Sequence, residues 1–280
     1  MRLGVNIDFG HKDPESWSEM VRELGVSAVI APMHEDDSPE VIKRYMKLIK
    51  ENNLVVGEVG VWNNTISSDE TARKEAVAYA KRRLALADEI GANCCVNIAG
   101  SCHDEKWFAY SPKNYTADTY ALIVDTTREI LDSVKPKRTF YSLEAMPWVV
   151  PDSPDSYLKL LEDVDRPGMA VHLDCVNMIN GIDRFNHRKD FVEECFRKLG
   201  PKVRSIHAKD LSISEVDQPC HLSECDPGQG AMDFAQVLRL AEGLGPDTTV
   251  FVEHMLQPEQ YVAALKYVRA IGQANGIYIK

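Results

Sequence analysis

Phe140-Tyr-Ser-Leu-Glu-Ala-Met-Pro-Trp148 reads as a β-strand that carries one carboxylate, Glu144, to its C-terminal end, where Pro147 forbids further ladder pairing. Three later stretches repeat the design. Met169-Ala-Val-His-Leu-Asp174 ends on Asp174, Val203-Arg-Ser-Ile-His207 on His207, and Thr249-Val-Phe-Val-Glu253 on Glu253. Each is a short apolar run finished by a residue able to ligate a metal. The four terminal residues lie 30, 33 and 46 positions apart, room each time for a helix and two loops. Four consecutive strand–helix units are implied, with two Glu, one Asp and one His gathered at one rim.

The rest of the chain has the same rhythm. Strands are predicted at Leu3–Asp8, Ser27–Pro32, Leu54–Val59 and Asn93–Ile98, ahead of the four already named. Helices are predicted at about Asp13–Leu24, from Ser38 on, at Ser68–Ile90, Ala117–Val134, Asp155–Leu161, Lys189–Leu199, Met232–Leu244 and Pro258–Ile271. Pro14 suits a first helical turn and Gly91 a helix stop. Eight strands alternating with eight helices, without a linker, predict an α/β fold: a single (β/α)8 barrel over residues 1–280. The rival doubly wound sheet wants a glycine-rich phosphate turn after its first strand, and Phe9-Gly-His-Lys is not one. Residues 210–230 are expected to be a loop.

Composition narrows the partners. The 280 residues carry a formal net charge of −11, which argues against nucleic acid or anionic lipid. No run of 18 apolar residues and no signal-like start is present, so a cytoplasmic protein with no membrane partner is expected. Seven scattered cysteines, with no CxxC pair, fit reduced buried thiols rather than a disulfide framework. A small-molecule substrate is the expected partner, and self-association into a homo-oligomer stays open.

In a barrel of this kind the chemistry sits at the C-terminal ends of the strands. Glu144, Asp174, His207 and Glu253 make a mostly hard ligand set for a divalent metal with open positions, Mn²⁺ first, with Mg²⁺, Co²⁺ or Zn²⁺ as other candidates. Such an ion would act on a substrate carbonyl as a Lewis acid and stabilise an enediolate. Glu144 and Glu253 come from strands roughly 135° apart in an eight-strand barrel, so they can serve opposite faces of that enediolate as an acid/base pair.

These residues resemble a known family. Leu-Glu-Ala, His-Leu-Asp, Ile-His-Ala-Lys-Asp and Val-Glu-His look like the xylose-isomerase-like TIM-barrel sugar (phosphate) isomerase/epimerase superfamily, which includes ketose 3-epimerases, inosose dehydratase and endonuclease IV. The resemblance covers most of the chain and is densest from Tyr141 to Met255. It implies that Glu144, Asp174, His207 and Glu253 bind the metal and that Glu144 and Glu253 double as acid and base. Pro227-Gly-Gln-Gly230 with Met232-Asp-Phe234 looks like that family's loop before its seventh helix. The chain departs from epimerase-type members at Asn177, where they tend to have His, and after His207, where they tend to carry Arg. The His-x-Lys-Asp form looks more like the dehydratase and uncharacterised isomerase branches. Endonuclease IV resembles it in fold only, since its cluster needs further His ligands from the early strands.

Other residues have two readings each. Lys209 shares the inward face with His207 and either polarises a substrate oxygen, the reading taken here, or pairs with a rim carboxylate. Asp210 is expected to cap the following turn, and Gly228-Gln-Gly230 to be that turn rather than a phosphate cradle. His172 lies one layer below Asp174, as a supporting hydrogen bond, a substrate contact or plain packing. Trp62, Trp107, Trp148 and Asn177 are candidate substrate contacts. The aromatic loop 101–113 either covers the substrate or packs as a side patch. Three functions follow: isomerase or epimerase of a sugar or keto-sugar, dehydratase or lyase with the same centre, and non-catalytic sugar-binding module. The early strands are expected to supply no metal ligand.

Overall fold

The structure is a computed structural model that describes residues 1–6, 10–216 and 220–280. Along the chain run β1 (Arg2–Val5), α1 (Pro14–Leu24), β2 (Ala28–Ile30), α2 (Pro39–Glu51), β3 (Val55–Gly60), α3 (Glu70–Ile90), β4 (Cys94–Asn97), α4 (Ala117–Val134), β5 (Tyr141–Glu144) and α5 (Pro154–Val164). Then come β6 (Met169–Asp174), two short helices α6 (Cys175–Met178) and α7 (Ile182–Asn186), α8 (Arg188–Leu199), β7 (Val203–His207), the pair β8 (Asp210–Ile213) and β9 (Leu222–Cys225), α9 (Phe234–Leu244), β10 (Thr249–Val252) and α10 (Pro258–Ala274).

Local chemistry sets the helix ends. Asp13, Ser38, Asp69, Thr116, Ser153 and Asp233 each accept a hydrogen bond from the first turn of the helix they precede. Proline opens α1, α2, α5 and α10, where its missing N–H costs nothing. Gly25 and Gly91 stop α1 and α3 in the left-handed conformation.

Eight parallel strands follow the order β1-β10-β7-β6-β5-β4-β3-β2, and Ser27 N donates to Leu3 O at 3.0 Å across the seam between β1 and β2. This is the expected (β/α)8 barrel, with β10 as its eighth stave. Register then aligns the candidate ligands: Glu144 pairs with His172, and Asp174 with His207.

One local expectation needs correcting, and another runs past the described residues. Residues 210–230 are not a plain loop, because β8 and β9 pair antiparallel, Asp210 opposite Cys225 and Ile213 opposite Leu222. The predicted first strand ends at Val5, and its residues Ile7 and Asp8 lie outside the described residues. The connection after β6 also holds two short helices that periodicity is too brief to reveal.

The barrel floor is closed by Phe251, which is fully buried. A Cβ on Gly4 or on Gly57 would lie 2.5 Å from its ring, so only glycine lets these backbones approach it. Replacing Gly57 by Val should therefore overpack the floor and lower stability by about 1–3 kcal/mol. Guanidinium unfolding checks this, and an unchanged midpoint would contradict it.

Candidate metal centre

The strand ends converge as the spacing requires. Single ligand atoms of Glu144, Asp174, His207 and Glu253 all lie within 4.8 Å of one another, and all four residues are buried. His207 Nδ1 stands 3.1 Å from Glu144 Oε1 and 2.8 Å from Glu253 Oε1. Asn177, in α6, donates from its amide to Glu144 Oε1 at 3.1 Å, while its backbone N–H donates at 3.0 Å to Asp174 Oδ1, the cap of that helix.

Sequence reasoning missed Glu58. It sits inside β3, 1% exposed, and reaches across the barrel to His172 Nε2 at 3.0 Å and His207 Nε2 at 3.2 Å. Ser205 Oγ also donates to it. The early strands do contribute a carboxylate, and Glu58, His172 and His207 form a second trio of potential ligands. Glu58 occupies the outer nitrogen of His207, which leaves Nδ1 facing the other carboxylates. A carboxylate behind a metal-ligating imidazole has this role in metal sites generally. His172 is 0% exposed and stacks edge-on to His207 with centroids 4.1 Å apart, so it lies beneath the cluster and away from the open pocket.

Lys209 is equally buried, and its ammonium stands 2.7 Å from Glu253 Oε1, 2.9 Å from Asp174 Oδ2 and 3.3 Å from Asn177 Oδ1. Burial alone would raise the pKa of Glu144, yet His207 and Lys209 outweigh it and hold Glu144 down at about 2. Asp174 goes the other way: burial pushes it up to about 6 despite Lys209. Burial would lower His207, but Glu253, Glu58 and Glu144 together raise it well above the ordinary imidazole value.

A divalent ion fits this donor set. Asp174 Oδ2 and Glu253 Oε1 are buried without a hydrogen bond of normal geometry, although the ammonium is close enough to pair with both by charge. Glu58, Glu144, Asp174 and Glu253 also outnumber Lys209 and His207 as charged partners, an excess that a divalent ion would offset.

Above the cluster opens a cavity of about 390 Å³ lined by Trp62, Trp107, Phe108, Met146, Asn177 and His254, with Glu144 and Glu253 at its floor. The loop 101–113 is pinned to the barrel and also lines the cavity. Asn114, 1% exposed, accepts from Cys102 N at 2.8 Å and donates to Ala109 O and Trp148 O at 3.1 Å, which pins the loop. Trp107 and Phe108 are then presented to the cavity. Trp148 instead backs Phe108 edge-on at 5.0 Å. Trp62 and His254 adopt left-handed φ of 49° and 64°, uncommon for bulky side chains and found where a site constrains the backbone. Glu224, on the unforeseen hairpin, binds His254 Nδ1 at 2.9 Å. Asp210 accepts from Leu211, Gly228, Gly230 and Met232 N–H groups, so the glycine turn has no donors left for a phosphate.

The family model described as a xylose isomerase-like TIM barrel matches residues 18–271. A probable endonuclease 4 from Persephonella marina (strain DSM 14350 / EX-H1) is 24% identical over 181 residues, covering 61% of this chain and 60% of the relative, so the chain spans less than two thirds of that protein. Among solved structures, a xylose isomerase-like TIM barrel protein from Mycobacterium smegmatis in complex with magnesium superposes with TM-score 0.67 and 18% identity over 94% of this chain and 89% of that one. D-psicose 3-epimerase with D-tagatose from Clostridium cellulolyticum H10 gives TM-score 0.70 and 15% identity over 97% and 99%. At these identities the solved structures establish the fold alone. Among the described residues, no helix is long and apolar enough to cross a membrane.

Protein purified without chelator should retain a divalent ion by elemental analysis, and Asp174→Asn and Glu253→Gln should each lose it. Glu58→Gln should weaken affinity by about 10–100-fold. Metal content unchanged in both Asp174→Asn and Glu253→Gln would contradict this centre.

Proposed function

The chain belongs to the xylose isomerase-like TIM barrel family, and from that premise we propose that it is a divalent-metal-dependent isomerase or epimerase of a sugar or keto-sugar, working through an enediolate. The observation that carries this reading is the convergence of Glu144 and Glu253 on one imidazole nitrogen at the floor of an aromatic cavity. Two carboxylates serving a single centre suit a reaction that removes a proton and returns one.

Glu144, Asp174, His207 and Glu253 would hold a divalent ion, which would supply Lewis acidity toward a substrate carbonyl. Glu144 and Glu253 are the acid/base pair, arriving from strands roughly 135° apart around the barrel, so one removes the proton and the other returns it from the opposite side. Lys209 donates to a substrate oxygen and is held in place by Asn177 Oδ1 at 3.3 Å. Trp62, Trp107 and Phe108 wall the cavity and keep water from the carbanionic carbon. His172 serves through Glu58 and His207 rather than by touching substrate.

Dehydration of a keto-sugar is the second reading, and the His207-Ala-Lys-Asp210 arrangement favours it. A cationic Lys209 beside both carboxylates can protonate a β-hydroxyl as it leaves, and mass loss of one water separates that outcome from epimerisation. DNA as substrate is the weaker reading, because a −11 chain lacks the basic surface that a phosphate backbone requires.

In D₂O, turnover should place deuterium on the carbon next to the carbonyl, and Glu144→Gln should slow that exchange by about 10²–10⁴-fold. Turnover without solvent deuterium would move the reading to a hydride-shift isomerase. Trp62→Ala and Trp107→Ala should raise KM or alter sugar preference while metal content stays intact. Loss of the metal in these variants, or kinetic silence in both, would contradict the role of the aromatic wall.

A further inference from the structure

A second cavity, of about 250 Å³, opens beside the metal pocket at the ends of β1, β2 and β3. The two share Asn6 and Trp62. Asn6 links them chemically, since its amide donates to Glu253 Oε2 at 2.9 Å. Trp62 separates them sterically: its indole folds back over Gly60 so closely that a Cβ there would lie 2.2 Å from Nε1. That tryptophan is 38% exposed and held at a left-handed φ, a conformation uncommon for a bulky side chain.

The second cavity has the lining of a sugar subsite. Trp62 and the half-buried Tyr79 give it aromatic surface over the buried Trp17, with His11 and His34 as polar groups. Ile30 and Ala31, at the end of β2, are only half-buried although they belong to the barrel wall, so a face that a closed barrel would cover stays open toward this space. Among the described residues, the arginine lining the cavity is already paired. Arg83 is buried and bound to Glu35 Oε2 at 3.0 Å and to Gly60 O at 3.0 Å. Its guanidinium is therefore committed, and a phosphate finds no surplus cation from it.

We propose that this cavity is a subsite for a second, uncharged ring, so that the substrate is a glycoside or disaccharide whose keto-sugar unit sits on the metal side of Trp62 and whose other ring sits beside Trp17 and Tyr79. The inference rests on the sugar reading above and narrows it from free sugars and sugar phosphates to two-ring substrates. Trp62, which lines both spaces, is the residue the two rings share.

Calorimetric titration of the Mn²⁺-loaded protein tests it with ketose probes that differ only in their substituent. These are D-fructose, four of its glucosyl derivatives (turanose, maltulose, leucrose and isomaltulose), and fructose 6-phosphate. At least one disaccharide should bind tenfold or more tightly than D-fructose. Ala31→Phe, which fills the cavity, should erase that gain and leave D-fructose affinity unchanged. His34→Ala, at an exposed position that folding tolerates, should reduce the gain about threefold or more and covers the case in which Ala31→Phe misfolds. Fructose binding with no gain for any disaccharide overturns the subsite and leaves the sugar reading standing. So does tighter binding of fructose 6-phosphate than of every disaccharide, or equal weakening of fructose and disaccharide by both variants. Failure of every ketose to bind overturns the subsite and the sugar reading together.

Discussion

Charge compensation inside a dry barrel is the constraint on which the upper half of this molecule depends. Glu58, Glu144, Asp174 and Glu253 are all at most 5% exposed, and the buried cations that face them are His207 and Lys209. Carboxylates removed from water cost several kcal/mol each unless they are paired. The strands are accordingly arranged so that every one of the four touches His207 or Lys209. Pairing by charge alone leaves Asp174 Oδ2 and Glu253 Oε1 without a proper hydrogen bond, and that residual demand points the cluster toward a divalent ion. Stability and chemistry are here the same interaction, because the groups that would be most expensive to bury are the ones that would hold the metal.

Much of this was legible in the chain because Glu144, Asp174 and His207 finish their strands and Glu253 follows its strand by one residue. Strand ends are readable from apolar runs, and the β6 and β7 boundaries agree with the sequence to the residue. Glu58 was not legible in the same way, since it lies within Val55-Val-Gly-Glu-Val-Gly60 and marks no boundary. A signal was present nonetheless. A barrel strand is buried on both faces, so an ionisable residue in its interior needs a partner across the barrel. The β8–β9 hairpin escaped because it is short, polar and half-exposed. With it went Glu224 and its grip on His254. Asp210 shows the opposite case: a turn-capping role read from residue type alone is realised through four backbone N–H groups.

The cavity walls follow a different logic from the cluster. Trp62, Trp107 and Phe108 come from connections after β3 and β4, and their placement depends on backbone conformation and on anchors such as Asn114. Neither leaves a periodic trace in sequence. Structures at 15–18% identity share this barrel with TM-scores near 0.7, and a shared scaffold at that distance does not fix the substrate. The second cavity lies instead at the ends of β1, β2 and β3, beside α1 and α3.

Anomalous diffraction at the manganese absorption edge, from crystals grown with Mn²⁺, addresses the central claim most directly. The account predicts one strong peak within bonding distance of Glu144, Asp174, His207 Nδ1 and Glu253, with Lys209 displaced from between Asp174 and Glu253 and Glu58 still on His207 Nε2. No peak at the cluster, with the Lys209 ammonium still seated against both carboxylates, would contradict it.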